Sequence, residues 1–130
     1  MFDHWEINET GRENKDFVNA LNQLIGVTLT PQEVQLMNQV FMEAQSDVQR
    51  FQLKAETLID SIDAKDPIKR AKLQIAKLIY NAVLNFSRKD LENCYLNLES
   101  AAEYADNMNF DDIADLIISI IEILDSSFED

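Results

Sequence analysis

The sequence predicts an all-α protein, a single-domain bundle of four to five helices built around a long antiparallel central hairpin. Apolar residues recur at steps of three and four along most of the chain, and no useful stretch of β-type alternation occurs. The 130 residues include only two Gly and two Pro, which leaves few chain breaks. This length suits one domain, so we expect residues 1–130 to form a single helical domain, with residues 1–12 as an irregular N-terminal segment.

The first two helices are predicted from a stop signal and a start signal. Residues 13–25 form the first helix, because its apolar residues share one face and Gly26 is a natural stop. The second helix has the strongest local signal in the chain. Thr30 is the predicted N-cap, Pro31 takes the first helical position, and Glu33 closes a capping box.

An unbroken apolar stripe runs through this second helix, which we expect over residues 31–62. Its members alternate steps of three and four over four heptads: Val34, Met37, Phe41, Ala44, Val48, Phe51, Ala55, Leu58 and Ile62. Such a helix is about 48 Å long at 1.5 Å per residue, and its stripe needs a long helical partner. Asp66 and Pro67 then break the chain and start a third helix, whose short connection makes it the antiparallel partner.

The third and fourth helices are predicted to pack closely. Asp90 can cap the fourth helix, and residues 107–109 end it with a turn. The segment from Ala76 to Ala105 resembles a tetratricopeptide-type helical hairpin, with small residues where close helix crossing needs them: Ala82, Cys94 and Ala101. It lacks the aromatic, Gly and Pro positions of that family. The resemblance therefore implies tight packing of the two helices and assigns no family.

The fifth predicted helix, residues 111–126, is apolar over most of its circumference. Its polar side chains form one narrow stripe: Asp112, Asp115, Ser119, Glu122 and Ser126. An apolar arc this wide predicts contact on two or more sides. Either the helix lies wedged in the centre of the bundle, or part of the arc is covered by a second copy or a partner. In both cases we expect Ile118 and Ile123, which flank the polar stripe, at the edge of the core or under a second molecule.

The negative charge is concentrated in the C-terminal part of the chain. The formal net charge of −13 divides into about −1 for residues 1–89 and −12 for residues 90–130, which contain twelve acids and no Lys or Arg. Such a region attracts basic partners and repels nucleic acid and anionic lipid. Basic residues crowd instead at the start of the third helix: Lys65, Lys69, Arg70, Lys72 and Lys77. We expect them to pair with the acidic half or with nearby acids: Asp60, Asp63 and Asp66.

Residues typical of catalysis or metal binding are scarce. His4 is the one histidine and Cys94 the one cysteine, too few for a zinc site or a two-metal bundle site. Cys94 lies on the inner face of the fourth helix, which is typical of a small buried residue rather than of a nucleophile. No phosphate-binding loop, dinucleotide fingerprint or EF-hand loop occurs. We therefore predict a protein that is not an enzyme and holds no cofactor or metal.

The location of the protein is predicted from its cysteine content and its apolar segments. A single cysteine cannot form an internal disulfide, which favours a reducing, cytoplasmic setting. The first residues are acidic and polar, unlike a secretory signal. Residues 113–124 are interrupted by Asp115 and Glu122 and are shorter than the roughly 20 residues that span a bilayer, so no membrane span is predicted.

These observations favour a non-catalytic, cytoplasmic protein–protein interaction module of the adaptor, chaperone, antitoxin or inhibitor type. Its expected partner is a protein with a basic surface, and a second copy of the chain is a further candidate. The candidate interaction surface combines acidic and apolar residues: Asp112, Asp115, Ile118, Glu122, Ile123 and Asp125.

Two other functions stay open. The first is an acidic mimic of nucleic acid that blocks a basic nucleic-acid-binding protein, which predicts a long exposed row of carboxylates with duplex-like spacing. The second is a helical bundle that binds a small molecule, which predicts a polar-lined pocket in the core. Direct binding of nucleic acid is disfavoured by the sign of the charge.

Overall fold

The computed structural model of the chain describes residues 12–45, 47–62 and 66–128, which form six α-helices. They are α1 (Arg12–Thr28), α2 (Pro31–Glu43), α3 (Val48–Ile62), α4 (Pro67–Ser87), α5 (Leu91–Asn107) and α6 (Asp111–Phe128). The described ranges contain no strand. The all-α class is therefore confirmed, with six helices rather than the expected four to five. The predicted irregular segment lies outside the described residues except for Arg12, which begins α1.

Helix α1 does not end at Gly26, contrary to the sequence-based expectation. It continues to Thr28, whose hydroxyl donates to the carbonyl oxygen of Leu24 at 2.7 Å. An added Cβ at Gly26 would meet no atom within 4 Å, so packing does not require a glycine there. A glycine inside a helix costs only about 1 kcal/mol. The burial of Thr28 and Leu29 just beyond it favours continuation of the helix into the core.

Three predicted helix caps are confirmed, and α6 begins at Asp111, as predicted. The Glu33 N–H donates to the Thr30 hydroxyl at 3.2 Å, and the Thr30 N–H donates to the Glu33 carboxylate at 3.0 Å, which completes the capping box. Asp66 caps α4, and Asp90 caps α5 by accepting the Asn93 N–H at 3.2 Å. The hydrogen bonds from Asn93 also lower the pKa of Asp90.

The single long helix predicted over residues 31–62 is wrong. The structure divides it into α2 and α3, and Gln45 between them has φ 53°, in the left-handed region. The Asp47 N–H donates to the Ala44 carbonyl oxygen at 3.0 Å, and Asp47 Oδ1 accepts the Arg50 N–H at 3.1 Å, so Asp47 caps α3. The long antiparallel hairpin that depended on this helix is not confirmed. The antiparallel pairing of α3 with α4 stays a prediction.

The apolar stripe does not reveal this break because it keeps its phase across the turn. Met37 and Ala44 before the break are fully buried, and so are Phe51 and Ala55 after it. One face of residues 31–62 is therefore apolar throughout, whether or not the chain turns. The local signal for the turn is Asp47, a residue type that favours helix caps.

Helix α4 lies at the centre of the bundle. It packs against α1, α3 and α5, and every residue from 79 to 86 is buried. All six helices contribute to one cluster of buried side chains. Aromatic contacts join distant parts of the chain within it: the Phe17 and Phe86 ring centroids lie 4.5 Å apart, and those of Phe51 and Tyr80 lie 5.9 Å apart. That residues 1–130 form one domain stays a prediction.

The close packing predicted for α4 and α5 is confirmed. The small residues Ala82, Cys94 and Ala101 are fully buried, as a close helix crossing requires. Polar groups also join the two helices, since the Asn97 side-chain amide donates to the Asn85 side-chain oxygen at 2.7 Å. Helix α5 is thereby held with one face against α4 and the opposite face in solvent.

Candidate interaction surface

Helix α6 packs against both α1 and α5, so the predicted contact on two sides is confirmed. Its buried residues are Ile113, Ala114, Ile117, Ile120 and Leu124. Leu116, Ile121 and Ile123 are partly buried against the same core. The wide apolar arc is thus explained mainly by contacts within the chain.

The six residues predicted as a candidate surface fall into three groups. Four carboxylates are exposed: Asp112, Asp115, Glu122 and Asp125. Ile123 is half-buried at the edge of the core, as expected. Ile118 is 48% exposed, so the core of this chain does not enclose it. Among the side chains of residues 111–125, the surface of α6 is therefore acidic, with Ile118 as an exposed large apolar side chain.

Ile118 lies in the middle of a row of carboxylates. The row follows steps of four and three along α6: Asp111, Asp115, Ile118, Glu122 and Asp125. Residues at these steps are neighbours on a helix surface, with Cβ atoms about 5–6 Å apart. All five are exposed. Asp112 is exposed as well but lies beside this row rather than in it.

Helix α5 carries a second row with the same pattern, which the sequence analysis missed. Its members are Glu92, Leu96, Glu99, Glu103 and Asp106, again at steps of four and three and again all exposed. Leu96 is 52% exposed among the carboxylates, as Ile118 is on α6. The spacing was visible in the sequence, but the exposure of this side of α5 was not. We call the two rows together the acidic face.

The two helices that form the acidic face are joined to each other. Helices α5 and α6 pack side by side, and the Tyr95 hydroxyl donates to Asp125 Oδ1 at 2.6 Å. Tyr104, also on α5, is 37% exposed. The acidic face thus rests on two packed helices whose inner sides belong to the core.

Four of the six basic residues of α3 and α4 form ion pairs. Four ion pairs use acids of α2 and α3: Lys54 with Glu43 (3.6 Å), Lys69 with Glu33 (3.6 Å), Arg70 with Asp60 (2.8 Å), and Lys77 with Glu56. Lys72 Nζ lies 5.6 Å from the centre of the Phe110 ring. The predicted pairing with Asp60 is confirmed for Arg70. Lys65 and Asp63 lie outside the described residues.

Two surface grooves accompany these helices. One, of about 480 Å³, lies on α2 and α3 and is lined by Val40, Glu43, Leu53, Lys54, Thr57, Leu58 and Ser61. The other, of about 490 Å³, lies where α6 begins and is lined by Val27, Lys72, Asn109, Phe110, Asp111, Asp112, Ile113 and Leu116. Both lie at the surface, so neither is the polar-lined core pocket expected of a small-molecule-binding bundle.

Cys94 and Tyr80, whose side chains could take part in catalysis, are buried in the core. Burial raises the pKa of the Cys94 thiol to about 12, so it stays protonated and poorly nucleophilic at neutral pH. Burial also raises the pKa of Tyr80. Across the described ranges, no group of three or more His, Cys, Asp and Glu could hold a metal ion, and no helix is long and apolar enough to cross a membrane. His4 lies outside the described residues.

Comparisons of the chain with known protein families, curated proteins and solved structures find no match.

Proposed function

We propose that this chain is a non-enzymatic interaction module that binds a protein with a basic surface through the acidic face. One observation carries the proposal: eight exposed carboxylates surround two exposed apolar side chains on a pair of helices that contain no Lys or Arg. An uncompensated field of one sign attracts a partner of the opposite sign and accelerates its association. The apolar side chains provide contacts that exclude water once the partner is in place.

The apolar residues favour a protein partner over the nucleic-acid-mimic alternative. Each row spans 14 residue steps, or about 21 Å of helix. Duplex DNA carries about 12 charges over that length, at one per 1.7 Å. The acidic face offers eight, and each row is interrupted by Leu96 or Ile118. A channel built for phosphates has no apolar counterpart for these side chains, whereas a protein interface pairs a ring of polar groups with an apolar centre.

The same charge argues against a second copy at this surface. Two acidic faces carry charge of the same sign and repel one another. A homodimer of this chain must therefore use another surface, which leaves the acidic face to a different protein. We place this interaction in the cytoplasm, in keeping with the single, unpaired Cys94.

The proposal is tested by quantitative affinity capture from the cell of origin with matched baits. Glu122→Lys changes the charge of the acidic face by +2. The control, Gln35→Lys combined with Gln52→Lys, adds the same charge at exposed positions of α2 and α3. We expect a protein that both the wild type and the control retain and that Glu122→Lys loses. Equal loss with both variants would show that bulk charge, and not this face, governs binding.

The captured protein then serves in a kinetic measurement. Its association rate with the wild type should fall as ionic strength rises, since exposed charges are screened over about 10 Å at 0.1 M salt. Ile118→Ser should accelerate dissociation with little change in the association rate, because it removes an apolar contact and no charge. A salt-independent association rate would refute the electrostatic account. Displacement by duplex DNA, with no effect of Ile118→Ser, would favour the mimic.

A further inference from the structure

The break between α2 and α3 interrupts an apolar stripe that is built for one helix. The stripe continues in steps of three and four through the turn, from Phe41 to Ala44, Val48 and Phe51. The turn between α4 and α5 differs, because the step from Phe86 to Leu91 is five and takes the stripe out of phase. The α2–α3 turn is thus a place where the sequence is compatible with both a turn and a straight helix.

The backbone of the turn is also compatible with both a turn and a straight helix. Gln45 has φ 53°, a region that a residue with a Cβ atom occupies at a cost in free energy. Residues 44–47 contain neither Gly nor Pro, so nothing in their covalent structure prevents a continuous helix. The cap at Asp47 opposes this by favouring the start of a new helix. The conformation of the turn therefore depends on a balance of small local contributions to the free energy.

The contacts that α2 makes with α3 can form equally well between two copies. They include the ion pair of Glu43 with Lys54 at 3.6 Å and the edge-on ring contact of Phe41 with Phe51 at 6.0 Å. An element exchanged between identical chains keeps its native contacts. Straightening of the turn thus moves these contacts from within one chain to between two chains without losing them.

We propose that Ala44, Gln45 and Asp47 form a hinge, and that this chain forms a domain-swapped dimer with a second copy of itself. In the dimer, residues 31–62 are one helix, and the α1–α2 arm of each copy packs on α3 to α6 of the other. The two straight helices lie side by side with their apolar stripes facing. Each straight helix then covers the apolar stripe of the other. This inference does not depend on the proposed function, because the swap leaves the acidic face on the outer side of α5 and α6.

The first test identifies which chain supplies each contact. Unlabelled and nitrogen-15-labelled wild-type protein are mixed in equal amounts, unfolded and refolded together at high concentration. The dimer is isolated by size-exclusion chromatography. A zero-length carbodiimide cross-linker then joins Glu43 to Lys54, and trypsin releases them on separate peptides, residues 16–50 and 51–65. In a swapped dimer, about half of the cross-linked pairs should carry one label of each kind, by random assortment.

Two results of this test would overturn the proposal. Cross-linked pairs that all carry a single isotope would show that α2 stays packed on α3 of its own chain and that the dimer, if present, forms through another surface. A chain that remains monomeric at every refolding concentration would show that the hinge does not open. Both results can be read on the wild-type protein, so neither depends on a variant that fails to fold.

The second test shifts the equilibrium of the hinge between the turn and the straight helix. Gln45→Gly favours the left-handed turn, and Gln45→Ala favours the straight helix. The equilibrium constant between turn and straight helix should therefore differ by about tenfold or more between the two variants at each hinge. Since a swapped dimer has two hinges, its dissociation constant should differ by about a hundredfold between the two variants. Gln52→Gly and Gln52→Ala are the matched controls, at an exposed helical position of α3. If the Gln45 pair and the Gln52 pair change the dissociation constant equally, the hinge is refuted.

Discussion

The two sides of the bundle differ in net charge and in ion pairing. Residues 31–87, which include α2, α3 and α4, contain seven acids and seven bases, and four ion pairs join them. Residues 91–128, which include α5 and α6, contain nine acids, all exposed, and no base. One side is neutral, with four ion pairs among its described residues. The other carries nine of the thirteen excess negative charges, so most of the net charge of −13 belongs to one region of the surface.

Both sides are attached to the same core, and this sharpens the contrast. Helix α4 contacts α3 on the paired side and α5 on the acidic side. Buried side chains of both sides belong to one cluster. The differences in charge arise from the outer sides of the helices, where substitutions change charge with little effect on packing.

The strongest test of the acidic side compares two adjacent isoleucines of α6. Ile117 is fully buried and Ile118 is 48% exposed. Ile117→Asp should lower the free energy of unfolding by more than about 4 kcal/mol and unfold the chain, because it buries an unpaired charge. Ile118→Asp should stay within about 0.5 kcal/mol of the wild type. Urea denaturation followed by circular dichroism measures both. A large loss with Ile118→Asp would show that Ile118 is covered in solution and would contradict its place on an exposed acidic face.

On the paired side, the capping box of α2 provides a test of intermediate size. Thr30→Ala should lower the free energy of unfolding by about 0.5–2 kcal/mol, since it leaves the Glu33 N–H without its partner. Thr57→Ala is the control. The Thr57 hydroxyl donates to the Leu53 carbonyl oxygen within α3 and caps nothing, so its loss should be close to neutral. Equal denaturation midpoints for the two variants would mean that α2 does not begin at Thr30 in solution.

The smallest effects test the charge contrast itself. Glu56→Gln breaks the ion pair with Lys77 and should lower the free energy of unfolding by at most about 1 kcal/mol. Glu99→Gln removes repulsion between Glu99 and Glu103, one turn apart on α5. This change should raise the free energy of unfolding by about 0.2–0.5 kcal/mol. Both changes should shrink at high ionic strength. Effects of the same sign at low salt would contradict the division into a paired side and an acidic side.

Much of the secondary structure could be predicted from the sequence because its signals are local. The caps at Thr30, Asp66 and Asp90 act through hydrogen bonds that reach two or three residues along the chain, and all three were located correctly. The stop at Gly26 was wrong because a small local cost was outweighed by burial of the residues that follow. Local rules therefore succeed until a tertiary contact of larger free energy opposes them.

The candidate surface was predicted in part, for a related reason. Residues 111–125 contain an acidic stripe that could be read directly from the sequence, and the structure exposes its carboxylates. The matching row on α5 was missed because the sequence does not say which polar side of a helix lies against α4 and which faces solvent. Leu96 and Ile118 are likewise exposed, and the sequence does not say which apolar side chains the packed helices leave uncovered.

The sequence by itself determined the helical class, four of the helix starts and the concentration of acid after residue 90. Each follows from residue types or from contacts within one turn. The tertiary structure alone decided that residues 31–62 turn at Gln45, and that four bases of α3 and α4 form ion pairs with acids of α2 and α3. The physical reason is that an apolar stripe specifies a face to be buried but not what buries it. The same stripe is satisfied when the chain folds back and when a long helix lies beside it.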